Sequence, residues 1–353
     1  MPLKKEAILF IGGGRESIPG IEYAKKLGYF TVVSDASNKA PSKKVSHYFI
    51  KASTYNYEDT IKRVLVFNKK VKKINGVMSL SADVPLTVSK VAQKLNLRYI
   101  PVNTAKIFSN KYLMKKSFDK LGLNIPNYFL IKNLYDLKKN INYIEKAIIK
   151  PVDSRGARGV YVINKKENNL KKLFNNSIKY SPSKKLILEE FLEGPQLSTE
   201  SIILNNKVLT VGVSDRNYEY LNKFKPHVIE NGSDMPSKFE GKFLNKINNI
   251  IKKICLHLNI KNGTIKGDLV INNNKIFIIE AAIRLSGGYF SSHMIPHSSG
   301  INLVDSAIKI HLKKKLKLKR IKKKSFVTQR FLFTNPGKVK KIIIPKWIKN
   351  SKN

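Results

Sequence analysis

The chain has 353 residues, 42% of them hydrophobic, which is enough for a substantial core in two or three packed units and excludes wholesale disorder. Its formal charge is +43, but the lysines are spread over nearly every segment, and only Lys313–Lys324 (KKKLKLKRIKKK) is dense enough to form a basic patch. A single cysteine, Cys255, excludes an internal disulfide framework and a cysteine-based metal cluster, and no apolar stretch reaches the roughly 20 residues of a membrane span, so a cytoplasmic location is expected.

The N-terminal apolar run goes straight into a glycine turn and lacks a small-residue cleavage site, so it reads as a first strand and not as a leader. AILFIGGG gives that strand, IPGIEYAKKLGY an amphipathic helix with Gly28 near its end, and FTVVSD a second strand. YEDTIKRVLVFNKK follows as a helix, INGVMSLS as a third strand and VPLTVSKVAQKLNL as a helix, and LRYIP closes the series. Such alternation predicts a parallel sheet with helices on both faces. Gly12, Gly14 and Asp35 match part of a dinucleotide fingerprint, but Ser17 occupies the place of its third glycine. The loop is therefore expected to meet substrate or to pack.

Asn110–Leu121 (NKYLMKKSFDKL) predicts a helix, FLI a strand and LYDLKKNINYIEK a helix. Next, KPVDSRGARGV, residues 150–160, lies between the strands AII and VYVI. It is too long and too charged for a minimal hairpin turn; its glycines let the backbone come close to a ligand, and its cations select an anion. The helix NNLKKLFNNSIKY, the strand LILEEFL, the strand pair STESIILNN–KVLTVGVSDR and a helix over 241–258 follow. GDLVINN–NKIFIIEAAIR predicts a hairpin turning at Asn272–Asn274, and FVTQRFLF–KVKKIII another across Pro336 and Gly337.

In the earlier of these hairpins, Asp268 and Glu280 lie on paired strands, which brings two carboxylates together across the sheet. Unpaired they repel, and a hard cation between them removes that repulsion. Arg216, Tyr218, His227 and Glu230 belong to a predicted loop that forms a pocket wall. His293 and His297 have the spacing of a helical metal pair, but Pro296 between them argues against a continuous helix and favours structural or substrate-contact roles.

The order of these elements and motifs, over about residues 7–335, resembles that of the ATP-grasp superfamily, of the carbamoyl-phosphate-synthase-large-chain-like and carboxylate–amine ligase type. The resemblance implies an α/β and α+β fold: an N-terminal Rossmann-like pre-ATP-grasp domain over 1–109 and a two-lobed ATP-grasp domain over 110–312. Within the latter, the small lobe is expected at about 110–190 and the large lobe at about 191–312, with a basic segment and short hairpin over 313–353.

The resemblance also assigns roles. Lys111 and Lys150 face phosphate, and Ser154, Arg155, Gly156, Arg158 and Gly159 form a lid over it. Glu190, Phe191 and Leu192 meet adenine, while Gln196 stands where many relatives hold the ribose with Glu, Glu200 sharing that task. Asp268 and Glu280 bind Mg²⁺, with Mn²⁺ as the alternative, and Ala282 stands where relatives carry a ligating Asn. Arg284 faces the reacting phosphoryl or carboxylate group and, with Lys150, is the catalytic residue.

The implied function is an ATP-dependent ligase that activates a carboxylate as an acyl phosphate and joins it to an amine, releasing ADP and phosphate. One alternative keeps the fold and activates bicarbonate. The other is a non-enzymatic nucleic-acid binder using the basic run. The partners implied are a small-molecule carboxylate and amine and a second copy of the chain, with neither membrane nor nucleic acid involved.

Overall fold

The structure, a computed structural model, describes residues 6–316, 325–335 and 337–350. Four aliphatic runs, β1 (Ala7–Ile11), β2 (Phe30–Asp35), β3 (Tyr48–Lys51) and β4 (Ile74–Met78), form a parallel sheet in the order β3-β2-β1-β4. β1 is buried along its whole length, as a strand covered on both faces must be. Of the intervening helices, Tyr57–Lys70 starts at Asn56, whose side chain accepts from the Glu58 and Asp59 N–H groups. The predicted parallel sheet is present with one exchange. Leu97–Pro101 forms no strand, and the remaining strand is YFIK, whose mixture of exposed and buried positions hides its periodicity. A helix over Val102–Phe108 was also not anticipated.

β5 (Tyr128–Ile131), β6 (Lys146–Pro151), β7 (Tyr161–Asn164) and β8 (Leu186–Glu190) form an antiparallel sheet ordered β5-β8-β6-β7. β9 (Gln196–Leu204), β10 (Lys207–Asn217), β11 (Gly232–Met235), β12 (Asn262–Asn272), β13 (Lys275–Ala282) and β14 (Val327–Arg330) form a third sheet, ordered β13-β12-β9-β10-β11-β14. Two tight hairpins here turn on Asn205-Asn206 and Asn273-Asn274, all at positive φ, a conformation that asparagine tolerates. The helix Glu240–His257 buries Phe243, Ile247, Ile251 and Ile254, spaced along one face, against this sheet.

The expected late hairpin is not formed. β14 pairs antiparallel with β11 instead, and the described residues 338–345 form no strand. The open edge of β11 satisfies the β14 backbone groups that a local hairpin would otherwise pair. Residues 317–324 of the basic run Lys313–Lys324, and Pro336 of the expected turn, lie outside the described residues. No helix among the described residues is long and apolar enough to cross a membrane.

One core cluster joins Ile8, Phe10 and Met78 of the parallel sheet to Leu285, Phe290, Leu303 and Ile308. The helix Leu303–His311 thus docks the N-terminal sheet beside the large antiparallel one, bringing the loop after β4 to the mouth of the cleft between the other two sheets.

Candidate active site

The cleft has a volume of about 390 Å³ and is lined from both antiparallel sheets. A second groove of about 580 Å³ beside Tyr99 and Asn262 has no acidic side chain in its lining, so it lacks the means to hold a divalent cation.

One wall is built by β6, β8 and the helix Lys111–Asp119. Lys150, at the buried end of β6, donates to Glu189 Oε2 at 2.9 Å. Lys115 Nζ lies 3.6 Å from the same oxygen and donates to the Ile278 carbonyl at 3.2 Å. One carboxylate is therefore shared by two ammonium groups, leaving this wall positive. Burial pushes the Lys115 ammonium down to about 8, although Glu189 opposes the shift. The second oxygen of Glu189 is buried without a hydrogen-bond partner, while the residue lines the cleft. A ligand donor would satisfy it.

The opposite wall is the β12–β13 hairpin. Asp268 lies directly across from Glu280, and the register shifts so that Ile279 is an extra residue. A bulge of this kind aims neighbouring side chains to a common face. Asp268 accepts from Lys266 at 2.7 Å and from Ser198 Oγ at 3.1 Å, with Arg216 Nη1 at 3.2 Å. Burial raises the Asp268 carboxyl, but Lys266 and Arg216 outweigh it and hold it at about 2. Burial likewise raises Glu280, and Lys111 and Lys150 bring it below the ordinary carboxylate range.

Lys111 joins the walls. Its Nζ lies 3.1 Å from Glu280 Oε1 and donates to the Ser154 carbonyl at 3.0 Å, tying the loop after β6 to β13. Burial disfavours its charge, but Glu280 and Asp83 more than restore it. At the hinge, the Phe191 N–H donates to the Lys146 carbonyl, and the Lys146 ammonium sits 4.1 Å above the Phe191 ring. Glu190 accepts from Asn127 Nδ2 at 2.9 Å. Gly194, at φ +133°, lets the chain pass Ile271: a Cβ there would lie 2.1 Å from the Ile271 carbonyl oxygen.

Lys111, Lys150, Glu190, Phe191, Leu192, Gln196, Asp268, Glu280 and Arg284 all line this one cleft. Ser154, Arg158 and Gly159 do not, whereas Gly156, Ala157 and Val160 of the same loop do. Arg158 is exposed, and Gly159 packs on Ser177, whose hydroxyl donates to its carbonyl at 2.7 Å. Arg155 stacks its guanidinium 3.7 Å from the Tyr55 ring centre, fastening the loop to the N-terminal unit. Glu200 is not at the cleft: it is fully buried, accepting from the Ser286 N–H and from Ser291 Oγ at 2.8 Å.

Arg216, Tyr218 and Glu230 do form a wall of the cleft, while His227 packs edge-on against Tyr161. Pro296 does not interrupt the helix. The π-helical turn Phe290–Met294 runs into the α-helical turn Ile295–Ser299, and Pro296 sits just after the change from one to the other. Among the lining residues, Asp83, Glu189 and Lys266 were not anticipated, nor was Lys115 behind them. Lys115 was accessible from the sequence, because it stands four residues after Lys111 on one helix face.

A family model of the ATP-grasp domain matches residues 108–288, more than half of the chain. The chain belongs to the ATP-grasp family. It is 26% identical over 276 residues to a D-alanine–D-alanine ligase of Wolbachia pipientis wMel, covering 74% of this chain and 84% of that one. It is 23% identical over 289 residues to the carbamoyl phosphate synthase large chain of Saccharolobus islandicus (strain L.S.2.15 / Lassen #1), covering 80% of this chain but 26% of that one.

Among solved structures, phosphoribosylglycinamide synthetase from Anaerococcus prevotii superimposes with a TM-score of 0.71 at 20% identity, covering 93% of this chain and 81% of that one. L-amino acid ligase from Bacillus licheniformis gives 0.71 at 22%, covering 88% and 75%. Both likenesses establish the fold.

ATP-grasp ligases use ATP with Mg²⁺, and the acids of the cleft suit the cation. The paired carboxylates of Asp268 and Glu280 are hard oxygen donors kept ionised by their neighbours. Among the described residues, no three His, Cys, Asp or Glu side chains gather into a protein-only cage. Two carboxylates completed by phosphate and water suit Mg²⁺, which sheds its waters reluctantly.

Proposed function

We propose that this chain is an ADP-forming ligase that couples a small carboxylate to an amine. The observation that carries the reading is the convergence of the cations Lys111, Lys150 and Arg284 and the carboxylates of Asp268 and Glu280 on one cleft. Residues 1–109 form its N-terminal unit and 110–312 its nucleotide clamp, hinged near Phe191 and Leu192.

Lys150 and Lys111 neutralise the charge of the transferred phosphoryl group, each giving up part of its hold on Glu189 or Glu280 to do so. Asp268 and Glu280 hold Mg²⁺, which supplies a Lewis acid to the phosphate oxygens when bound. Phe191 and Leu192 offer an apolar shelf to adenine, and Gln196 a neutral hydrogen-bonding group to ribose. Arg284 orients the substrate carboxylate, whose oxygen takes the γ-phosphoryl group as ADP departs. The amine nitrogen then attacks the acyl carbon, phosphate leaves, and the nitrogen loses a proton as the amide forms. No covalent enzyme intermediate is required. The exposed side chains Leu332, Ile342, Ile343 and Trp347 support pairing of two copies, which mass photometry reads as a doubled mass.

The test is ADP release from ATP and Mg²⁺ over a panel of carboxylate–amine pairs, with mass spectrometry of the product. Release that needs both partners, with a product weighing their sum less water, is expected. Release driven by bicarbonate without such a product would assign the site to the carboxylating alternative.

A further inference from the structure

The acids that line the cleft are almost all engaged. Glu189, Glu190, Glu230, Asp268 and Glu280 each have a partner at 3.1 Å or less. Asp83, from the loop after β4, is the exception: its nearest cation is Arg284, with Nε at 3.6 Å from Oδ1, beyond hydrogen-bond reach. Arg284 in turn has a buried Nε without a hydrogen-bond partner, and its guanidinium donates to the Leu285 carbonyl from Nη1 at 2.9 Å. Both side chains keep 17% exposure.

Two opposite charges side by side in the lining of a cleft, 3.6 Å apart, with unused acceptors on one and an unused buried donor on the other, are a receptor for a ligand carrying both charges. Their closeness matches charges separated by a single carbon.

We infer that the carboxylate substrate is an α-amino acid, with its ammonium group on Asp83 and its carboxylate on Arg284. This rests on the ligase reading above and narrows its substrate class. Asp83 then selects against simple carboxylates, 2-hydroxy acids and bicarbonate, because each brings a second anion to share Arg284 with the Asp83 carboxylate and no ammonium group to offset it.

The experiment compares ADP release by the full chain with L- and D-amino acids, the 2-hydroxy and unsubstituted acids of the same skeletons, γ-aminobutyrate and bicarbonate, alongside a separate titration of nucleotide affinity. At least one α-amino acid is expected to exceed its unsubstituted analogue in kcat/KM by roughly 100-fold or more. Asp83→Asn is expected to erase that gap while still binding nucleotide, and Asp83→Glu to restore part of it.

Equal turnover of the unsubstituted acid or bicarbonate by the wild type, or a gap that survives Asp83→Asn, overturns the assignment. Nucleotide binding without stimulation by any amino acid overturns it while leaving the ligase reading intact. Absence of nucleotide binding by the wild type removes both. Should Asp83→Asn fail to fold, the wild-type panel decides alone.

Discussion

The two walls of the cleft each share one buried acid between two cations, but only one of them also pairs across the gap. On the β6–β8 side one acid, Glu189, is shared by two lysines, so the surplus is positive and waits for an anion. On the β12–β13 side one acid, Asp268, is shared by Lys266 and Arg216, while Glu280 reaches across to Lys111. A buried charge is tolerable only when paired, so each wall carries provisional partners that a triphosphate and its metal would replace. Lys111 is the hinge of that exchange, bonded at once to Glu280 and to the loop after β6.

Removing a metal-binding acid should separate the walls most clearly. Glu280→Ala is expected to lower ADP release by at least about 100-fold with the fold retained by circular dichroism, since it deletes a ligand and frees Lys111. Lys150→Met is expected to lower kcat/KM by about 100-fold, the scale of losing one preorganised cation, and to weaken nucleotide binding in calorimetry.

Lys115→Met probes the wall without touching the ligand. Loss of the longer of the two Glu189 pairs and of the hydrogen bond to the Ile278 carbonyl should cost about 1 kcal/mol in urea unfolding, with a smaller loss of kcat than Lys150→Met. An unchanged midpoint would mean that Glu189 does not depend on it.

The remaining effect is in pH. Asp268 titrates at about 2 in place of 3.8, so the stability it contributes is fully present above its unfolded value and is lost as pH falls through the folded one. The gap in unfolding free energy between wild type and Asp268→Asn should therefore be constant from about pH 7 to 5 and narrow below about pH 4, by about 2 kcal/mol in all. A gap that narrows near pH 6 would contradict the charge environment described for this wall.

Much of the cleft was legible in the sequence because its parts are local. The Asp268–Glu280 pair follows from one hairpin with an asparagine turn, and Lys150 from its place at the end of a buried strand. Glu200 was misplaced for a physical reason: β9 is central, with 197–203 buried on both faces, so alternation cannot tell which side meets the cleft. Glu189 was missed on β8 for the same reason. Asp83 carried no local signal at all. It reaches the cleft because the helix Leu303–His311, more than two hundred residues later, packs on the N-terminal sheet. The last strand failed similarly, because a distant sheet edge outcompeted a neighbouring turn.

Calorimetric titration of the full chain with a non-hydrolysable ATP analogue, with and without Mg²⁺, decides whether the cleft is a nucleotide clamp. One site per chain is expected, tightened by Mg²⁺ in the wild type but not in Glu280→Ala, and weakened in Lys150→Met. Absence of binding by the wild type, or binding indifferent to both substitutions, would contradict it.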